Sequence, residues 1–431
     1  LNTLGNGFVF DDEFVILDNT VVSEPGRIWD SFRSSYWGSL AGQAKSSGYR
    51  PITILSYHLN HRASGADPMP YHAVNVALHG VACLLLFLAL LSFTANPRAS
   101  FLAAGIFAVH AVHTEAVASI VGRAEILAAI GAFGALLAHS ITVTRAGGRA
   151  WAVAAGSAGV AICALFGLLS KESAVAVPLI ALCLEAARPG PRPSGRQAWK
   201  TLAPIAVAYL AAVAAFLCLR WSLMGSISPA TGVHFMDNPF TALSWHERIP
   251  AALLTGGRAA TLMVLPAQLV SDYGFDSLPV GRPWTSAYTF VGIAAIAGIA
   301  IASIRARRVM PMAAAGLVIA LLAYLPVSNL PVVMHTVFGE RTLYMASTGA
   351  CLAGGVVVDG VLGAARDRAR IVAIAVLSMY CLFLTARTFT RNRDWRTDFS
   401  LSEADVQSNP RSVRLLNNYG NELMGRGRVP E

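Results

Sequence analysis

Ten apolar runs close to bilayer-spanning length dominate this sequence, at residues 72–94, 99–117, 119–143, 151–169, 173–187, 201–221, 286–304, 310–327, 344–364 and 370–388. A spanning helix needs about 20 apolar residues, because the hydrocarbon core is about 30 Å thick and each residue rises about 1.5 Å. Backbone amides in lipid must be satisfied within a helix or a closed barrel, and runs of this length select helices. The expected fold is an all-α polytopic membrane protein. Composition agrees, since 55% of the 431 residues are hydrophobic and only 13% charged, where a soluble chain carries about 25% charged residues. Ordinary soluble enzymes, nucleic-acid-binding modules and disordered scaffolds are excluded.

The runs divide the chain into three parts. Residues 1–70 are mixed in polarity and form an outer loop domain. Residues 71–388 hold the transmembrane bundle, with about ten crossings and an outer loop at 222–285. Residues 389–431 are polar and read as a linker followed by soluble helix. The stretch 250–270 is apolar but carries Pro250, Gly256, Gly257, Arg258 and Pro266. If it does not cross, one face gathers Arg98, Arg145, Arg149, Arg188, Arg192, Arg196, Lys200, Arg305, Arg307, Arg308, Arg366, Arg368 and Arg370 against Glu185, Asp359 and Asp367. That asymmetry is what the positive-inside rule requires. Residues 250–270 are therefore expected to be re-entrant or to lie on the membrane surface. Residues 1–70 and the C-terminal tail then share the non-cytoplasmic side. The six cysteines sit inside apolar runs without a paired spacing, so no disulfide framework is expected. The sequence begins at Leu1 with no charged leader, which reads as a cut fragment.

The ionisable residues that a soluble site would need fall at that outer face. They are Phe10-Asp11-Asp12-Glu13-Phe14, Gly48-Tyr49-Arg50-Pro51, His58-Leu59-Asn60-His61, His110 to Glu115, Gly122-Arg123-Ala124-Glu125, Ser170-Lys171-Glu172, Ser271-Asp272-Tyr273 and Gly339 to Tyr344. Ionisable groups near a bilayer cost about 2.5–3.5 kcal/mol each to insert and usually mark a site. Acids and cations from several segments point to one shared cavity, with carboxylates as general base and Arg or Lys as a phosphate clamp. Each cluster also has a plainer reading. Asp11 and Asp12 serve equally as turn acids, Lys171-Glu172 as an interface pair, and Glu340-Arg341 as a structural ion pair. His110, His113 and Glu115 form a weak metal set without a second matched pair, so a capping or hydrogen-bonding role is favoured for the histidines.

In this order the clusters resemble the transmembrane and tetratricopeptide-repeat O-mannosyltransferase family and its bacterial relatives. The resemblance covers nearly the whole chain. It rests most on Phe8-Val9-Phe10-Asp11-Asp12, Tyr49-Arg50-Pro51-Ile52-Thr53, Tyr71-His72-Ala73-Val74-Asn75, His110 through Glu125, Ser170-Lys171-Glu172 and Glu340-Arg341-Thr342-Leu343-Tyr344, with about 250–330 resembling that family's central domain of unknown function. Asn409-Pro410-Arg411-Ser412 leading into Leu416, Tyr419, Gly420 and Leu423 has the spacing of the first helix of a tetratricopeptide repeat. The rest of the repeat array, and a first transmembrane helix before the acidic loop, are expected outside this sequence.

The resemblance implies a class C glycosyltransferase bundle that moves mannose from a polyprenyl (dolichyl-type) phosphate to Ser or Thr hydroxyls of proteins on the non-cytoplasmic face. That face is the endoplasmic-reticulum lumen in a eukaryote or the periplasm in a bacterium. Asp11 or Asp12 is the expected base, with Asp12 favoured because side chains alternate in an extended loop. Arg50, Arg123, Lys171 and Arg341 are expected to hold the leaving phosphate. His113, Glu115, Glu172, Glu340 and Tyr344 are expected to orient those cations or the sugar. The lipid-linked sugar is the co-substrate, no protein metal ligand is assigned, and room remains for a divalent metal. Expected partners are membrane lipid and a protein acceptor bound through downstream repeats, with no nucleic acid. The rival classes are a lipid or solute transporter or flippase, and an inactive membrane anchor for a repeat scaffold.

Overall fold

The computed structural model describes residues 2–38, 48–190, 195–227 and 233–428; Lys45 and Arg192 lie outside them. Sixteen α-helices and no strands occur among the described residues. They are α1 (Thr20–Ser23), α2 (Pro51–Ser64), α3 (Pro68–Thr94), α4 (Pro97–Val109), α5 (Thr114–Ala118), α6 (Arg123–Arg145), α7 (Ala150–Ser170), α8 (Val177–Ala187), α9 (Gly195–Met224), α10 (Trp245–Val264), α11 (Ala287–Ala306), α12 (Pro311–Tyr324), α13 (Leu343–Ala364), α14 (Asp367–Asp394), α15 (Asp398–Ser408) and α16 (Val413–Gly425). Several starts are written locally. Asp67-Pro68 and Asn96-Pro97 put a proline at the first turn, and the Asp67 and Asn96 side chains accept from Met69 N and Ala99 N. Proline there loses no helical hydrogen bond, and the caps satisfy otherwise orphaned amides.

Among the described residues seven helices are long and apolar enough to cross a membrane: α3, α6, α7, α9, α11, α13 and α14. An eighth span forms if α4 and α5, bent by 50° about His110, are taken together. The runs at 173–187 and 310–327 form shorter helices, α8 and α12. At about 1.5 Å per residue, the 11 residues of α8 reach only about 16 Å. The segment nevertheless joins two faces of the bundle. At one end Glu172 pairs with Arg50. At the other, Arg188 donates to Ser92 O and Ser140 Oγ at the ends of α3 and α6. Arg98 and Asn96 meet Asp359 at this second face.

The first residues and the tail share the other face. Asn6 Nδ2 donates to Asn392 O at 3.0 Å, Gly7 N to Arg396 O at 3.1 Å and Phe10 N to Asp398 Oδ1 at 2.7 Å. The segment containing α10 begins and ends there too. Phe275 N donates to Met236 O, and Arg414 reaches both Asp237 and Asp272.

Helices of the bundle approach closely where both carry glycine, as small residues allow in membranes. A Cβ on Gly257 of α10 would stand 1.8 Å from Tyr288 O and 2.7 Å from Gly292 N of α11. Gly257→Val should therefore splay this hairpin and cost at least about 1–3 kcal/mol by overpacking. The thermal midpoint in detergent should fall by several degrees, and a parental midpoint would contradict the close crossing.

Candidate functional site

The shared face holds a cavity of about 1180 Å³, walled by the first loop, α5, the 171–173 turn, the end of α9, the 271–272 turn and residues 325–342. Three ionic groupings meet on it. Arg341 lies between two carboxylates, with Nη2 3.4 Å from Asp11 Oδ2 and Nε 3.4 Å from Glu115 Oε1. Its backbone N also donates to Glu115 Oε2 at 2.8 Å. Glu172 lies between two cations, Arg50 Nε at 3.1 Å and Arg220 Nη1 at 3.0 Å. Lys171 Nζ pairs with Glu125, whose second oxygen accepts from Ser173 Oγ.

These groupings polarise the cavity. Two cations share Glu172, which leaves a surplus of positive charge beside Lys171. Two carboxylates share Arg341, which leaves a surplus of negative charge beside Asp11. Burial alone would raise the Glu172 carboxyl, but Arg50 and Arg220 hold it down at about 2. Burial lowers the Lys171 ammonium, against the pull of Glu125. Tyr36 lies within the fields of Arg50, Arg341 and Asp11, and burial pushes its phenol up to about 12, so it remains a donor at neutral pH. Arg50 also stacks over the Tyr36 ring at 4.6 Å, a favourable cation–π geometry.

The structure sorts the residues expected from sequence. Asp11, Arg50, Glu115, Lys171, Glu172 and Arg341 line the cavity. Asp12, His113, Arg123, Glu340 and Tyr344 do not, and each has a different employment. Residues 11–17 wind into a helical turn rather than an extended strand, so the neighbouring acids diverge by a helical step and do not alternate. Asp12 turns inward, fully buried, and accepts from Val9 N, Ile120 N and Val121 N at 3.2, 3.3 and 2.8 Å. Burial pushes its carboxyl up to about 7 against those amides. Of the two acids, Asp11 and not Asp12 therefore faces the cavity.

Arg123 is also sealed inside. It donates to Asn75 Oδ1, Asn60 Oδ1, Tyr71 O and Ser56 O and stacks over Tyr57, fastening α2 and α3 to α6. His113 Nε2 meets Ser347 Oγ, and Tyr344 OH meets His79 Nδ1, both within a buried aromatic cluster with Phe107. Glu340 and Arg341 do not pair with each other. Glu340 accepts from Val270 N and Tyr273 OH, holding the 270–273 turn. His110 caps the bend by accepting from Val112 N. Among the described residues no three His, Cys, Asp or Glu side chains converge as a metal site.

Sequence reasoning missed Arg220, Tyr36, Asp237, His335 and Arg414 as cavity residues, and left Asp272 without a role. Arg220 alone had a usable signal, as a cation ending the apolar run 201–221. Two outcomes follow. Asp12→Asn turns an acceptor oxygen into a donor facing backbone amides, so stability should drop by about 1–3 kcal/mol, read as a lower thermal midpoint. Glu172→Gln removes the carboxylate between two cations and should cost about 2 kcal/mol, less than a fully buried pair because the site is partly open. Because the Glu172 pKa is depressed in the fold, its contribution is present above about 4.5 and lost as pH falls toward 2. Unfolding midpoints of parent and Glu172→Gln should converge at low pH, and a constant gap from pH 7 to 3 would contradict the pairing.

Comparison with known proteins adds an independent line. The chain is 27% identical to the mouse protein O-mannosyl-transferase TMTC3, with 98% of this chain and 47% of that protein covered. It is 28% identical to Drosophila melanogaster protein O-mannosyl-transferase Tmtc3, covering 100% and 52%, and 26% identical to Caenorhabditis elegans protein O-mannosyl-transferase F38B6.6, covering 99% and 58%. The chain spans about half the length of the curated relatives it matches. No protein-family profile matches the sequence, and no solved structure does. Over almost every residue, including the helices that carry the ordered motifs, the chain is similar to the TMTC protein O-mannosyl-transferases.

Proposed function

We propose that this chain is the membrane-embedded catalytic part of a protein O-mannosyltransferase, using a polyprenyl-phosphate mannose donor and Ser or Thr acceptors. The observation that carries the proposal is the polarised cavity, cation-rich at Arg50, Arg220 and Lys171 and acid-rich at Asp11 and Glu115. Such a division suits a transfer in which charge moves from a hydroxyl to a departing phosphate. The acceptor oxygen attacks the anomeric carbon, the bond from that carbon to the phosphate oxygen breaks, and the lipid phosphate leaves with the electron pair. Asp11 takes the hydroxyl proton. Arg50, Arg220 and Lys171 hold the phosphate, while Arg341 fixes Asp11 and Glu115. A carboxylate serves as base here because the hydroxyl becomes acidic as the new bond forms.

The arginine-rich loops at the opposite face support a cytoplasmic orientation for that face and a lumenal or periplasmic one for the cavity. The packed pair α15–α16 is the natural start of a repeat array presenting protein acceptors. Radiolabelled polyprenyl-phosphate mannose with membranes carrying the chain tests the activity. Asp11→Asn should lower transfer by about 10²–10⁴-fold, whereas Asp12→Asn should retain the parental rate per folded molecule. Parental transfer by Asp11→Asn would remove the base assignment.

A further inference from the structure

The cavity has a wall from an unexpected source. Arg414, in the first turn of α16, lines it. Its Nη1 lies 3.4 Å from Asp237 Oδ1 and 3.6 Å from Asp272 Oδ1, and its guanidinium stands over the Phe10 ring at 5.9 Å. Asp272 also lines the cavity yet is almost wholly buried, with Oδ2 accepting from Gly274 N at 3.0 Å. Asp272 therefore has one oxygen committed to the backbone and the other turned to a cation that is itself half-exposed.

The proton-transfer scheme above uses neither group. We propose that Arg414 is a positioning residue that holds the Asp272 carboxylate against the cavity wall, where it accepts a hydrogen bond from a substrate hydroxyl and leaves Asp11 to take the proton. This rests on the transferase reading of the cavity. Mannose and the acceptor both present hydroxyls, and the chemistry of recognition is the same for either.

The charged surroundings explain why a cation is needed. Asp272 faces Asp11 from the first loop, Asp405 from α15, and Arg414 from α16, which also engages Asp237. Asp405 is itself engaged by Arg391 and by Ser271 N. Burial raises the Asp272 carboxyl, Asp11 and Asp405 raise it further, and Arg414 opposes them. Without Arg414 the proton would be retained on Asp272 at pH values where the parent's Asp272 is ionised. An opposite charge at this range shifts a carboxylate by about one to three pKa units.

The test uses the full chain in lipid nanodiscs, with polyprenyl-phosphate mannose as donor and a Ser/Thr-rich synthetic peptide as acceptor. In Arg414→Gln the acid limb of kcat/KM should move up by about one pH unit, and Arg414→Lys should restore it. Asp272→Asn should raise one KM at least tenfold with a smaller change in kcat. A rise in the donor KM assigns the hydroxyl to the sugar, and a rise in the peptide KM assigns it to the acceptor. A pH-independent loss in Arg414→Gln, or unchanged KM values in Asp272→Asn, overturns the proposal. Infrared titration supplies a readout free of turnover: in the Arg414→Gln minus parent difference, a protonated-carboxyl band should persist to higher pH, and it should vanish in Arg414→Gln/Asp272→Asn. If the parent transfers no mannose, the transferase reading fails, and the infrared band alone then decides whether Arg414 governs Asp272.

Discussion

Arg341 is the junction on which the cavity depends. One guanidinium reaches Asp11 in the first loop and Glu115 just past the bend at His110, while its own backbone is tied to Glu115. Glu115 and Asp11 are 226 and 330 residues away from it in sequence, and the Asp12 contacts to Ile120 and Val121 brace the same wall from behind. A charge withdrawn from water needs a partner, and breaking a buried pair leaves an uncompensated charge that costs far more than the pair contributes. The rule is repeated at each cavity cation, with Lys171 on Glu125 and Arg50 with Arg220 on Glu172. The pairing makes the face of an apolar bundle tolerate so many ions, and its uneven sharing gives the cavity its polarity.

The bend between α4 and α5 shows how local chemistry serves that arrangement. A straight helix through 97–118 would carry Glu115 along its axis without a break. His110 instead adopts extended backbone angles, and its ring nitrogen receives Val112 N in place of a helical carbonyl. Thr114 Oγ1 donates to Ala111 O at 2.7 Å. Backbone groups freed by such a break must be satisfied locally, and these two side chains do so, His110 for an amide and Thr114 for a carbonyl. The short helix that follows delivers Glu115 to Arg341.

The helical architecture was readable because hydrophobic runs of that length have few alternatives in lipid. From six of the predicted positions, Asp11, Arg50, Glu115, Lys171, Glu172 and Arg341, side chains do line one cavity. What one sequence does not carry is side-chain direction within a motif. Asp11 and Asp12 differ only by one helical step, and the step depends on a π-helical turn with Phe10 at a positive φ of 62°. Arg123 and Arg341 look alike as cations beside acids, yet neutral acceptors enclose the first and carboxylates the second. Tyr344 follows a cavity motif but belongs to a helix whose first turn already faces inward. Arg414 was invisible for another reason: it reaches the cavity from a helix assigned to a different module.

Phe10 N is held by Asp398, and Gly7 N by the carbonyl of Arg396. The residues just before the acidic turn thus find their partners almost four hundred positions later. Contacts of such separation form late, after the loop-closure entropy between them has been met. On a chain made from its N-terminal end, Asp12 can meet Ile120 and Val121 early, but Asp11 must wait for Arg341, and Phe10 for Asp398. The bundle can begin to assemble helix by helix, and the acidic wall of its cavity is completed only once these late segments are in place.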